Sequence, residues 1–229
     1  YSSNIHKIFV LNDSASARKM NMIWHSEKFI SLPDPFQSKV ADVVLDKPLL
    51  DAAKTKVLHF GGLTRRKGTM EILQAISMIC NEKKAEKFQF IFAGKVNDDI
   101  KDEFYRLFRL LKNKCDIILM DKFCSYEELD ELCKECNIIL APYQNVYSSS
   151  GVIAYAAKFH KPVIVPDDGL LGKLVKKYKL GLAVKNITAK TLSNILTFGN
   201  QIPIDKNLED KYIQKNSVEN FDHTIFGNI

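Results

Sequence analysis

The stretch FGGLTRRKGTMEIL, residues 60–73, sets Gly61 and Gly62 between an apolar run and three consecutive cations, Arg65, Arg66 and Lys67. Glycines at the end of a strand let a ligand reach the backbone with no side chain in the way. A helix that follows offers free N–H groups and a positive dipole end. Lys67 would add a full charge there, so these residues suit a phosphate. The simpler alternative is a basic turn with solvated arginines. A nucleoside-triphosphatase loop needs Gly before Lys-Ser/Thr, whereas the order here is Lys67-Gly68-Thr69, and the chain has no dinucleotide fingerprint of three spaced glycines. A second constellation, APYQNVYSSSGVIAYAAKFHKPVIV (residues 141–165), carries Ser148, Ser149, Ser150 and Gly151 ahead of a small-residue helix. Such a loop can turn hydroxyls and N–H groups toward an anion, and helix capping by Ser149 or Ser150 would explain the serines as well.

Other residues with chemical potential read as structural. Cys133 and Cys136 share the apolar face of a helix with Leu129 and Leu132, with no second ligand pair at matching spacing, so core packing is expected rather than zinc or redox chemistry. Asp167 and Asp168 precede Gly169 and are expected to cap a helix rather than bind a metal. His59 is expected to close its strand, and His160 to cover a helix end.

These residues need a scaffold, and the chain supplies one. Its 229 residues are 46% hydrophobic, with 10 Gly, 7 Pro and no repeat, which is the composition of a folded core. From Lys56 onward, short apolar runs alternate with helical patterns: KVLHF (56–60), FQFIFAG (88–94), CDIILM (115–120), NIILAP (137–142), KPVIV (161–165) and LGLAV (180–184). Phe104, Leu107, Phe108 and Leu111 recur at helical spacing between them. Strands without polar alternation are covered on both faces, which predicts an α/β fold: a doubly wound, mostly parallel, Rossmann-like sheet with helices on both faces, binding its ligand at the carboxyl ends of the strands. Residues 1–50 read as a strand, a helix from Ser14 to Trp24 and a proline-stiffened linker, residues 51–204 as the Rossmann-like domain, and residues 205–229 as a helical tail. The start at Tyr1, almost directly before strand-like HKIFVLN, suggests a piece of something longer. The apolar runs fall far short of the ~20 residues of a membrane helix, so a cytoplasmic location is expected, with peripheral attachment to the inner face of a membrane as an extension. An odd count of 5 cysteines fits reduced thiols. The net charge of +6 suits an anionic ligand or a membrane surface, and without aromatic stacking motifs or a recognition helix it does not point to nucleic acid.

In order and spacing the two loops resemble the nucleotide-sugar half of GT-B fold glycosyltransferases, in particular retaining family 4 (group 1). That family has Gly-Arg-Leu, three residues, then Lys-Gly, matched by Gly61-Gly62-Leu63 and Lys67-Gly68. Ala93-Gly94, the run ILMDKFCSYEELDELC, Ala141-Pro142-Tyr143 and residues 161–164 match further features in order. The resemblance implies a nucleotide-diphosphate-sugar donor with no metal or other cofactor, Lys67 on the phosphates with Arg65 or Arg66 available to the same anion, and the Gly151 region giving N–H groups. Lys122 and Phe123 would sit at the turn that meets the base. It also implies that residues 1–50 are a remnant of an N-terminal acceptor-binding domain, otherwise missing from this chain, with its interdomain linker, that the tail 205–229 crosses back toward that domain, that the chain alone is inactive, and that its role lies in polysaccharide or glycolipid synthesis. Two departures stand out. The family's arginine is Gly62, and its paired glutamates fall on Tyr147 and Tyr155. A neutral hydroxyl bond is worth ~0.5–1.5 kcal/mol where an ionised group gives ~1.5–3. The alternative is therefore a non-catalytic, degenerate module that binds a nucleotide or a partner enzyme.

Overall fold

The computed structural model describes residues 4–36, 50–144, 150–199 and 201–227. The chain opens with β1 (Ile8–Leu11), α1 (Ser14–Ile23) and β2 (Phe29–Leu32). It continues through β3 (Thr55–Phe60), α2 (Thr69–Asn81), β4 (Phe88–Ala93), α3 (Lys101–Lys112), β5 (Asp116–Met120), α4 (Tyr126–Glu135) and β6 (Ile138–Leu140). Then come α5 (Val152–Lys158), β7 (Val163–Pro166), α6 (Gly169–Tyr178), β8 (Gly181–Val184), α7 (Ala189–Phe198), α8 (Lys206–Lys215) and α9 (Val218–Phe226).

The expected strands form one six-stranded sheet in the order β5-β4-β3-β6-β7-β8. Every neighbouring pair is parallel. Successive side chains on a strand alternate between faces. Leu58 and Phe60 of β3, with Ile91 and Ala93 of β4, accordingly meet α4, α5, α6 and Tyr212 of α8. Val57, Phe88, Phe90 and Phe92 meet α2, α3 and α7 on the other side. The doubly wound α/β class is therefore the one the chain adopts. The chain order reverses between β3 and β6, the kind of switch point at whose carboxyl ends such sheets bind ligands.

Phe104, Phe108 and Leu111 of the expected α3 stripe are buried. Cys133 and Cys136 are buried in the core, where desolvation raises the Cys133 thiol and pushes Cys136 up to about 12. Because the thiolate is the nucleophile, iodoacetamide at pH 8 should leave both unmodified in the folded chain and label them after denaturation. Native-state label at either, read by mass spectrometry, would contradict this packing. Asp168 takes the N-cap position of α6 without a capping bond from its side chain, and Asp167 pairs with Lys176.

His59 does more than close its strand. Its ring is buried, with Nδ1 2.9 Å from the Leu140 carbonyl and Nε2 3.0 Å from the Thr69 hydroxyl. Desolvation lowers its pKa from 6.5 to about 4, and the nearby Lys67 charge acts in the same direction. The unfolded chain then binds more protons between those values. Stability is complete above about pH 6.5 and falls on acidification toward pH 4, by roughly 2 kcal/mol from pH 6.5 to 5. Urea melts of wild type and His59→Phe across this range check the sign: the variant should lose this part of the slope, and an unchanged slope would contradict a neutral buried imidazole.

The N-terminal segment is more ordered than a linker. β1 and β2 pair in parallel, Ile8 opposite Phe29 through Leu11 opposite Leu32, so the stretch expected to be an extended connection supplies a strand that ends just before Pro33. The tail is helical as expected. The Asn12 amide donates to the buried Tyr212 hydroxyl at 3.1 Å, and the Asp34 N–H donates to Asn216 Oδ1 at 3.1 Å, tying the first segment to α8 and its C-cap.

Candidate anion site

The carboxyl ends of β3, β4 and β6 are shaped by glycines. The Gly61 N–H donates to the Ala93 carbonyl at 2.9 Å and the Gly94 N–H to the Met120 carbonyl at 3.0 Å, carrying the ladder past the strand ends. Gly94 has φ +150°, and a Cβ on it would lie 1.8 Å from the Gly61 carbonyl oxygen. Only glycine permits that approach. Gly61 has φ +91°, and a Cβ there would lie 2.7 Å from Lys67 Nζ. The lysine head thus occupies the space where a side chain on Gly61 would stand. Gly62 has no such role, since a Cβ there would meet nothing closer than Thr64 Cγ2 at 3.9 Å, and a Cβ on Gly151 would meet nothing within 4 Å.

The turn after β3 folds back on itself. The Thr64 carbonyl accepts from the N–H groups of Lys67 and Thr69, and the Arg65 carbonyl accepts from Gly68. The amides of Lys67, Gly68 and Thr69 are therefore used within the turn, and the helix N–H groups that remain for an anion are those of Met70 and Glu71. The dipole of α2 and the Lys67 ammonium stand beside them. Gly68, at φ +71°, packs beneath the Pro142 carbonyl, where a Cβ would come within 2.1 Å. The Gln144 N–H donates to the Arg66 carbonyl at 2.8 Å, so the loops after β3 and β6 are joined directly.

Lys67 is half-buried, 5.7 Å from the centre of the Tyr143 ring. Burial, and then the Arg66 charge, pull its pKa below the ordinary value. Among the described residues no carboxylate forms an ion pair with it. The two arginines separate. Arg65 pairs with Glu103 of α3 at 2.8 Å at the surface and donates its backbone N–H to Asp99. Arg66 is the arginine whose field reaches Lys67 and Tyr143. Tyr143 is buried, and its hydroxyl lies 3.2 Å from Ser150 Oγ. Ser150 thus meets Tyr143, and α5 has no side-chain cap. Sequence reading did not assign Tyr143 to the site, although its place just past the end of β6, where such sheets bind ligands, was a usable signal.

Tyr147, Ser148 and Ser149 lie outside the described residues. Tyr155 packs edge-on to Phe36 at 4.5 Å and to Phe60 at 5.2 Å. Its hydroxyl is buried with no hydrogen-bond partner among the described residues, and burial, followed by the field of Asp130 on α4, raises its pKa. Lys122 is paired with Glu128, which also closes the Ser125 capping box, while Phe123 beside it is 88% exposed. Among the described residues no cluster of His, Cys, Asp and Glu could hold a metal ion.

A doubly wound parallel sheet with Lys67 and Arg66 in the turn at its switch point defines a Rossmann-like α/β domain. The profile of the family described as Glycosyl transferases group 1 matches residues 44–215, most of the chain, and the chain belongs to that family. Among solved structures it is similar to Anabaena HepE in complex with UDP-glucose, at 16% identity and TM-score 0.69, covering 96% of this chain and 62% of that one. It is also similar to WaaG, a glycosyltransferase involved in lipopolysaccharide biosynthesis, at 13% identity and TM-score 0.65, covering 95% and 60%. Sucrose-phosphate synthase from Thermosynechococcus elongatus aligns at 19% identity and TM-score 0.67, covering 96% and 57%. At such identities these likenesses establish the fold. The chain spans 57% to 62% of the length of these three proteins. No curated protein sequence matches it.

Proposed function

We propose that this chain is the donor-binding part of a glycosyltransferase and holds a nucleotide-diphosphate sugar at the carboxyl ends of β3 and β6. One observation carries the reading: Lys67 is half-buried beside a second cation, Arg66, with no carboxylate on it among the described residues, at the switch point of the sheet. A charge in that setting is costly until an anion arrives. As the glycosidic bond breaks, the departing diphosphate gathers negative charge, and a preplaced ammonium and helix dipole stabilise it more than they stabilise the intact donor. Lys67 and Arg66 take that role, with Tyr143 and Ser150 along the same wall and the exposed Phe123 available to the base. The UDP-glucose in the HepE structure supports a uridine donor as the first to try.

Membership of family 4, a retaining outcome, and a polysaccharide or glycolipid product belong to the same proposal, as does an acceptor domain supplied outside this chain. Parallel strands are normally covered on both faces, yet Phe9 and Leu11 of β1 and Met22, Ile23 and Trp24 around the end of α1 are exposed, as expected if further structure packs there. The division into an N-terminal remnant, a donor domain over residues 51–204 and a tail returning to the N-terminal domain is supported by the contact between α9 and β2. No described helix is long and apolar enough to cross a membrane. Calorimetric titration with UDP, GDP, dTDP, CMP and ADP tests the reading, and absence of binding by all of them would reject it. The position of Tyr155, packed among aromatic rings where the family carries a glutamate, favours a second reading as a nucleotide-binding module without turnover.

A further inference from the structure

The anion site stands on a buried polar joint. His59 lies one residue before the end of β3. Its two nitrogens reach the Leu140 carbonyl at the end of β6 and the Thr69 hydroxyl at the first residue of α2. A carbonyl only accepts, so Nδ1 carries the proton, Nε2 is an acceptor, and the Thr69 hydroxyl donates to it. Thr69 is fully buried, and Phe92 meets the imidazole edge-on at 5.9 Å. The surrounding face of the sheet is otherwise apolar, with Val57, Met70, Phe90 and Phe92 in its cluster. A hydrocarbon of similar size would fill the space; the imidazole adds a fixed direction to three elements at once.

We propose that His59 is a positioning residue for the anion site: through the Thr69 hydroxyl it locks the start of α2 to the carboxyl ends of β3 and β6. That lock keeps Gly68 beneath the Pro142 carbonyl and the Lys67 ammonium over Gly61. The inference rests on the donor-site reading above, and its test separates the two.

The experiment is titration of UDP, and of the other four nucleotides, into wild type, Lys67→Ala, His59→Phe, His59→Gln, Thr69→Val and Thr69→Ser, each checked for folding by thermal melt. One lost hydrogen bond converts to roughly a three- to tenfold change in affinity. Thr69→Val and His59→Phe are expected to weaken binding by that much. Thr69→Ser keeps the hydroxyl, and His59→Gln keeps an oxygen that can accept from it, so both are expected to stay within about twofold of wild type. A general loss of packing would not divide the variants by hydroxyl and acceptor in this way. If folded Thr69→Val and His59→Phe bind like wild type while Lys67→Ala does not, the donor site stands and His59 is a core residue only. If wild type binds none of the nucleotides, the donor reading falls and the inference with it. Should the variants fail to fold, ¹⁵N spectra of wild-type imidazoles decide: a Nδ1–H tautomer for His59 with a resonance that shifts on UDP addition supports the lock, and a Nε2–H tautomer or an unmoved resonance overturns it.

Discussion

Lys67→Ala weakens nucleoside diphosphate binding roughly ten- to a hundredfold and leaves the melting temperature unchanged or slightly raised. The first half follows from the worth of a charge-assisted contact, ~1.5–3 kcal/mol, at ~1.4 kcal/mol per tenfold. The second follows from the cost of the half-buried lysine charge. Its pKa is lowered by burial and by Arg66, so folding disfavours its charged form, and the loss grows smaller only as pH rises through the folded value toward 10.5. Removing the ammonium relieves both terms. A bound diphosphate reverses them, because an anion restores the preference for the charged form. Titration calorimetry with UDP, alongside a melt of each protein, reads both halves. A folded variant that binds as tightly as wild type would remove Lys67 from the site, whereas weak binding by a variant that also melts early would mark a packing defect.

Gly94→Ala is expected to cost about 3–5 kcal/mol, a large part of the 5–15 kcal/mol that holds a typical domain together. The added methyl would stand 1.8 Å from the Gly61 carbonyl oxygen, a backbone atom that moves only if the end of β3 moves, and the position has φ +150°. Backbone strain of this kind is worth ~1–3 kcal/mol even before the clash. Gly62→Ala is the internal control: its Cβ meets nothing closer than 3.9 Å, and φ there is not positive, so a change within ~0.5 kcal/mol is expected. Urea denaturation of the two variants side by side tests the geometry. Equal tolerance at both positions would mean that the ends of β3 and β4 do not approach as described. Because Gly61 lies under the Lys67 head, a folded remnant of Gly94→Ala should also bind nucleotide poorly.

Much of this architecture was legible without coordinates. Each strand of the large sheet is a short apolar run, and each α3 or α4 stripe repeats at helical spacing, because burial on both faces of a parallel sheet imposes local patterns that one stretch of chain displays. The basic turn after β3 was legible for the same reason, since glycines, lysine and helix start are neighbours in sequence. β2 was missed because four residues ahead of Pro33 show no alternation, and only β1 makes them a strand.

Sequence alone determined the doubly wound class and set Lys67 in the turn after β3. The tertiary structure decided the rest: that Arg65 turns to Glu103 while Arg66 acts on Lys67, that Gly94 rather than Gly62 makes the close approach, that Ser150 meets Tyr143, and that His59 joins three elements. Several of these contacts link residues 34, 38 or 81 positions apart. Local patterning records which face a side chain turns to the core, but a distant partner is fixed only when the sheet brings two strand ends together.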